Sequence, residues 1–248
     1  MLHPTISIIV PALNEEKLIE TTLRAFPPEI LARCNAEVIV SDGGSHDRTV
    51  EIAERFADVV VVHTEQRRQT IAEGRNRGAE YATGDLLVFI NADTVPRDVK
   101  AFARTLLEIA TQGAMDMRTV AYACPVEVTP QERRLSDRIF HGFFNNYVRF
   151  LNLLRVGMGR GECQVIWRDA FVAVGGYNNA MVAGEDFELY SRLARRGRIG
   201  HSEAFYVYES PRRFRRYGYV RVLFSWTINA LAVIFLRRSM SHQWEEVR

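Results

Sequence analysis

The chain has 248 residues, 47% of them hydrophobic, length enough for one large domain or two small ones around a real core. With 32 basic residues against 30 acidic, the formal net charge is only +2, too even a balance for a protein whose affinity would rest on a basic face, which argues against nucleic acid as a partner. Three widely spaced cysteines, Cys34, Cys124 and Cys163, make no C-x-x-C pair for zinc or redox exchange, and the opening Met1-Leu2-His3-Pro4-Thr5 shows no cationic region followed by an apolar core, so the chain reads as cytoplasmic.

Residues 6–10 are a short β-branched run closed by Pro11, and Asn14-Glu15-Glu16 opens a segment with Leu18, Ile19, Thr22, Leu23 and Phe26 at helical spacing. The strand pattern repeats at 37–41, turns at Asp42-Gly43-Gly44-Ser45, and passes into a helix with Asp47 as N-cap and Val50, Ile52, Ala53 and Phe56 as its apolar side. A third strand is predicted at 59–62 and a third helix at 70–82, ended by Gly84. Residues 86–90 then have the content of a strand buried on both faces. This alternation predicts parallel βαβ units with right-handed crossovers. The last of these strands runs straight into Asn91-Ala92-Asp93 and delivers a carboxylate at the sheet edge where ligands bind. A hard oxygen there suits a divalent cation carrying a diphosphate, while the plainer reading is a turn cap before Pro96.

A nicotinamide-binding fold would want G-x-G-x-x-G after strand one, where this chain has Pro11-Ala12-Leu13-Asn14-Glu15-Glu16. The first two strand ends offer Glu15 and Asp42 instead. A carboxylate such as Asp42 can accept a hydrogen bond from a base or a ribose hydroxyl, and Gly43-Gly44 lets a ligand approach the backbone; an ordinary capped turn explains the glycines equally well.

In the second half, residues 119–128 hold an alternating strand-like run, and 133–154 a helix dense in aromatics, with Phe140, Phe143, Phe144, Tyr147 and Phe150 on a side suited to core or to a partner. Gly157, Gly159 and Gly161 precede a strand at 163–167 and read as an acceptor-side loop that orders when donor binds. Glu185 and Asp186 begin a helix that ends in Arg195-Arg196-Gly197, acids first and bases last, as the helix dipole prefers. Residues 222–236 are apolar enough for lipid but fall short of the roughly 20 residues a spanning helix needs, and Asn229 lies near their centre. Arginines bracket this stretch, among them Arg212, Arg213 and Arg221 before it and Arg237 and Arg238 after, as at an anionic membrane surface; a helix pair at a homodimer contact accounts for the run as well.

Pro11-Ala12-Leu13-Asn14-Glu15-Glu16, Asp42-Gly43-Gly44-Ser45-His46-Asp47, Gly74-Arg75-Asn76-Arg77-Gly78-Ala79, Asn91-Ala92-Asp93-Thr94, Gly175-Gly176-Tyr177 and Gly184-Glu185-Asp186 together resemble, in order and over residues 5–200, the family 2 glycosyltransferases of the GT-A fold. The resemblance implies an α/β, Rossmann-like nucleotide-diphospho-sugar transferase fold, a mixed central sheet flanked by helices, over residues 1–210, with a C-terminal helical extension over 211–248. It further implies that Pro11, Leu13, Glu15 and Asp42 hold the nucleotide and that Arg75 sits near the donor. The family's D-x-D motif falls on Asn91-Ala92-Asp93, with Asp93 facing Mn2+ or Mg2+, and Asp186, after Glu185, is the base that takes the acceptor hydroxyl's proton.

Two positions depart from the family pattern. Asn91 is uncharged, able to orient ribose or water but a weaker metal partner than aspartate. Where many relatives place a histidine after the last strand, this chain reads Glu209-Ser210-Pro211-Arg212-Arg213, and its two guanidiniums suit a leaving diphosphate. The expected reaction is inverting transfer from a UDP- or GDP-sugar to a hydroxyl acceptor, lipid-linked or membrane-proximal, with the protein peripheral on the cytoplasmic face. A sugar nucleotidyltransferase is the first rival; it would want a basic triphosphate loop after strand one, and residues 11–16 contain no basic residue. A non-catalytic sugar or lipid binder is the second, and it would leave Asp93 and Asp186 expendable.

Overall fold

A computed structural model describes residues 6–112 and 119–236, with backbone alone at residue 112 and at 229–236. The first half alternates as the pattern predicts: β1 (Ile6–Ala12), α1 (Ile19–Arg24), α2 (Pro28–Cys34), β2 (Ala36–Asp42), α3 (Thr49–Ala53), β3 (Val59–Val62), α4 (Ile71–Tyr81) and β4 (Leu86–Ile90). α2 starts on Pro28, whose missing N–H costs nothing in a first turn, and α4 starts on a capping box in which Thr70 and Glu73 satisfy each other's backbone N–H. After these come β5 (Thr94–Pro96), α5 (Val99–Gln112), β6 (Thr119–Ala123), β7 (Val126–Val128), α6 (Leu135–Leu153), β8 (Cys163–Trp167), α7 (Arg168–Ala173), α8 (Glu185–Leu193), β9 (Arg198–Gly200), β10 (Val207–Glu209), α9 (Arg212–Tyr217) and α10 (Tyr219–Leu236).

Two expected boundaries move for identifiable reasons. The first helix begins at Ile19 rather than at Asn14, because the amides of Asn14, Glu15 and Glu16 donate to the side chains of Ser45, Thr49 and Asp47 on the next turn. Asp47 thus serves two turns at once, and α3 begins two residues after it. The run at 119–128 is two strands, broken at Cys124-Pro125, since proline has no N–H for a ladder.

Among the described residues, the strands form a seven-stranded sheet in the order β3-β2-β1-β4-β8-β6-β9 and a small sheet in the order β5-β10-β7. The β3-β2-β1-β4 part is parallel, and β8 enters antiparallel between β4 and β6, so the sheet is mixed. Alternate residues of the central strands feed cores on opposite faces. Ile8, Val38, Val88 and Ile90 pack with Phe26 and Phe102 on one face, and Ile9, Ile39, Leu87 and Phe89 with Phe144, Phe171 and Tyr190 on the other. At Gly78 of α4 a Cβ would stand 2.4 Å from the Ile9 Cγ2, which explains a glycine in mid-helix: it lets α4 lie close on β1. The parallel strands all end along one edge, and the site forms there.

Candidate active site

A cleft of about 650 Å³ opens at the carboxyl ends of β1 and β4 and is closed by α8, α9 and the first half of α10. Every sequence-predicted site residue except Asp42 lines it: Pro11, Leu13, Glu15, Arg75, Asn91, Ala92, Asp93, Glu185, Asp186, Arg212 and Arg213. Asp42 is fully buried and turned into its own loop, where it accepts hydrogen bonds from the amides of Gly44 (2.9 Å) and Ser45 (2.8 Å) and from the Ser45 hydroxyl. Its neighbours Ser41 and Gly43 reach the cleft instead. The buried Ser41 hydroxyl has no hydrogen-bond partner among the described residues, which makes it a group able to take a bond from a ligand.

One pole of the cleft is an ion-pair cluster. Arg212 grips Glu15 with both guanidinium nitrogens, at 2.9 and 2.5 Å, and the second nitrogen also lies 3.1 Å from Asp93 Oδ2. Burial raises the carboxyls of Glu15 and Asp93 above their usual range although Arg212 pulls each of them the other way. The turn that carries Asp93 is fixed from behind, by the Thr22 hydroxyl of α1 donating to the Ala92 carbonyl at 2.8 Å and by the Asn91 amide donating to the Glu162 carbonyl at 3.0 Å.

The opposite wall is organised by Arg75, which is wholly buried. Its guanidinium donates to Glu185 Oε1 (2.8 Å), to Asn91 Oδ1 (3.1 Å) and to the Gly161 carbonyl (2.6 Å), and lies 5.3 Å from the centre of the Tyr177 ring. It is a strut joining α4, the end of β4, the glycine-rich loop and α8. Asp186, next to Glu185 in the first turn of α8, has its carboxyl pushed up to about 7, by burial first and by the Glu185 charge second, against the pull of Arg75. Gly157 and Gly159 serve contact: a Cβ on either would stand 2.3 Å from the Tyr190 carbonyl oxygen or 2.5 Å from its ring.

A second buried cluster was not visible in the sequence. Arg160, 2% exposed, pairs with Glu162 at 2.9 Å and Glu209 at 3.4 Å, and also meets His141 Nδ1 at 3.4 Å. Burial works against the Glu162 charge, but Arg160 outweighs it and holds the carboxyl down at about 2. Glu209 is pushed up by burial and by the Glu162 charge, against the pull of Arg160. Burial, with Arg160, pushes His141 down to about 3 and keeps it neutral. These residues come from α6, the loop before β8 and β10, and no local spacing links them.

Among the described residues no three His, Cys, Asp or Glu side chains are grouped to hold a metal ion. Asp93 lines the cleft, while Asn91 Oδ1 is already engaged by Arg75. One carboxylate plus the phosphate oxygens of a bound nucleotide is an ordinary donor set for a small hard cation, and the residues present fit that arrangement.

The family profile described as Glycosyl transferase family 2 matches residues 7–174, and the chain belongs to this family. Its fold is GT-A. It resembles the mannosyltransferase PcManGT from Pyrobaculum calidifontis, solved in complex with GDP-Man and Mn2+, with a TM-score of 0.62 at 21% identity over 84% of this chain and 57% of that one. Glucosyl-3-phosphoglycerate synthase from Mycobacterium tuberculosis, solved with Mn2+, UDP-Glc and phosphoglyceric acid, superposes with a TM-score of 0.60 at 18% identity over 94% of this chain and 79% of that one. The succinoglycan biosynthesis protein ExoA of Rhizobium meliloti (strain 1021) is 29% identical over 209 residues, 77% of this chain and 58% of that protein. The chain spans less than two thirds of that relative's length.

Proposed function

We propose that the protein is an inverting glycosyltransferase that moves a sugar from a UDP- or GDP-sugar to a hydroxyl of a lipid-linked or membrane-proximal acceptor at the cytoplasmic face. The observation that carries this reading is that Asp93 and Asp186 line one cleft from different walls, Asp93 beside arginine and Asp186 with a carboxyl poised near 7. In the reaction, Asp186 takes the acceptor hydroxyl's proton, the oxygen attacks the anomeric carbon, and the bond to the diphosphate breaks on the opposite face. Arg212 and Arg213 take up the charge on the leaving diphosphate. A divalent cation, Mn2+ or Mg2+, held by Asp93 and by the donor's own oxygens, would supply further positive charge there. Leu13, Pro11 and the Ser41–Gly43 turn then border the nucleoside. The GT-A unit over residues 1–210 borrows part of its site from the 211–248 extension, because Arg212 reaches back to Glu15.

The mannosyltransferase and synthase named above carry nucleotide sugars with Mn2+, which supports this choice of donor and metal. A panel of nucleoside-diphosphate sugars, assayed for nucleoside diphosphate release with and without Mn2+, tests the reaction class. The anomeric configuration of the product, read by NMR, tests the mechanism: inversion is expected, and retention would remove Asp186 from the role of base.

A further inference from the structure

The long helix α6 carries its aromatics on two sides. Phe144 is buried and Phe140 half-buried against α9 and α10, but Leu135, Ile139, Phe143, Tyr147 and Phe150 form a second stripe, spaced three or four residues apart and 42–72% exposed. α10 has a stripe of its own, in which Val220 and Phe224 are 84% and 66% exposed. Phe140 packs on Tyr219 and Trp226, and Phe144 on Trp226, so the start of α10 lies against the middle of α6. Ile139 and Phe143 on α6 and Val220 and Phe224 on α10 lie off this contact and are exposed. Both helices thus carry an exposed apolar stripe beside their shared contact.

Its charges are of one sign. From residue 133 to residue 155 the sole acid is Asp137, which is buried and held by Arg215, while Arg134, Arg138 and Arg155 stand on the helix and its flanks; Arg133 pairs with Glu127 and Arg149 lines a separate pocket. Residues 210–236 contain no acid; of their five arginines, Arg212, Arg213 and Arg221 line the cleft and Arg215 pairs with Asp137, which leaves Arg216 for the surface. A two-fold dimer through this face would set arginine against arginine, since such an interface presents the same patch twice. No helix among the described residues is long and apolar enough to cross a membrane.

We propose that α6 and α10 together form a docking face for an anionic lipid bilayer, with the apolar side chains in the headgroup boundary and the arginines on lipid phosphates. α10 then stands between the bilayer and the cleft, since its Arg221, Val222, Ser225 and Trp226 line the latter. The proposal rests on the reading of the acceptor as membrane-proximal. It is tested without turnover.

The full chain is sedimented with vesicles of phosphatidylcholine alone and of phosphatidylcholine with phosphatidylglycerol, as wild type and as Phe143→Asp and Phe224→Asp. Neither residue lines the cleft, and both are exposed. Wild type is expected to pellet with the anionic vesicles at low salt and to stay in solution with the neutral ones, and each variant to lower its partition coefficient at least tenfold. Wild type left in the supernatant overturns the proposal, as does binding unchanged in both variants. A dimer that Phe143→Asp converts to monomer, without vesicle binding, overturns it in favour of a subunit contact. UDP and GDP binding measured on the same samples is expected to be unchanged, so a failure of the docking face is distinguishable from a failure of the glycosyl-transfer reading.

Discussion

The two walls of the cleft are built differently. On the donor side each piece is a continuous turn at the end of a parallel strand: Pro11 to Glu16 after β1, Asp42 to Ser45 after β2, Asn91 to Thr94 after β4. The Asp42 turn is fixed locally, its carboxylate accepting from the amides two and three residues ahead, and the other two turns by hydrogen bonds from neighbouring elements, as where the Asn14 and Glu15 amides reach Ser45 and Thr49 and the Thr22 hydroxyl reaches the Ala92 carbonyl. On the proposed acceptor side the pieces are held by a buried charge from a remote segment: Arg75 binds Glu185 110 residues away. A wall of hydrogen-bonded turns survives the loss of one bond, whereas a wall built on a buried ion pair leaves a charge stranded when one partner goes.

The sharpest way to break this contrast is to cut both walls. Arg75→Ala strips Glu185 of its buried counter-charge and is expected to cost about 3–5 kcal/mol of stability, against about 1 kcal/mol for Ser45→Ala in the donor turn. Urea denaturation of both variants measures the difference, and equal losses would dissolve the contrast.

Next in size, Asp186→Asn keeps the shape of the acceptor wall and removes its proton acceptor. Transfer is expected to fall by about 100-fold or more while donor binding survives. The pH dependence carries the same assignment. Burial and Glu185 keep Asp186 protonated below about 7, and only the ionised form accepts a proton. The rate of the wild type should therefore rise with pH through about 7, and fall about tenfold per unit below it. A profile flat from pH 5 to 8 would assign the base elsewhere.

The donor wall is probed by Asp93→Ala or by EDTA. Either is expected to weaken UDP or GDP binding about tenfold or more, because a cation shared with the diphosphate loses its protein ligand or is removed. Calorimetry with unchanged affinity in both cases would leave Arg212 and Arg213 as the whole phosphate site.

This contrast also explains what could be read from the sequence. β1, β2 and β4 were legible because five or so apolar residues in a row can hardly be anything but buried strands, and the turns behind them because glycine, proline and acids mark strand ends. Glu15, Asp93 and Asp186 were found as members of such turns or of a helix start. Arg75 was placed near the donor from its motif, but its role as a strut depends on Glu185 and Gly161, which only folding brings to it. Arg160, Glu162, Glu209 and His141 gave no signal at all, since each sits among unremarkable neighbours and acquires its meaning from a charge on another element. The expected freedom of the glycine-rich loop has a similar cause: glycine permits motion and close contact alike, and the packing of Gly157 and Gly159 against Tyr190 decides for contact.

The fork from Arg212 to Glu15 joins residues 197 apart in the chain. During synthesis the first four strands emerge long before Arg212 leaves the ribosome, so a nascent chain of that length lacks the cation that pairs with Glu15 and Asp93. Contacts of such separation form late, after the loop between them has closed. The proposed phosphate pole thus stays incomplete until residue 212 is in place, well after the strands that carry Glu15 and Asp93.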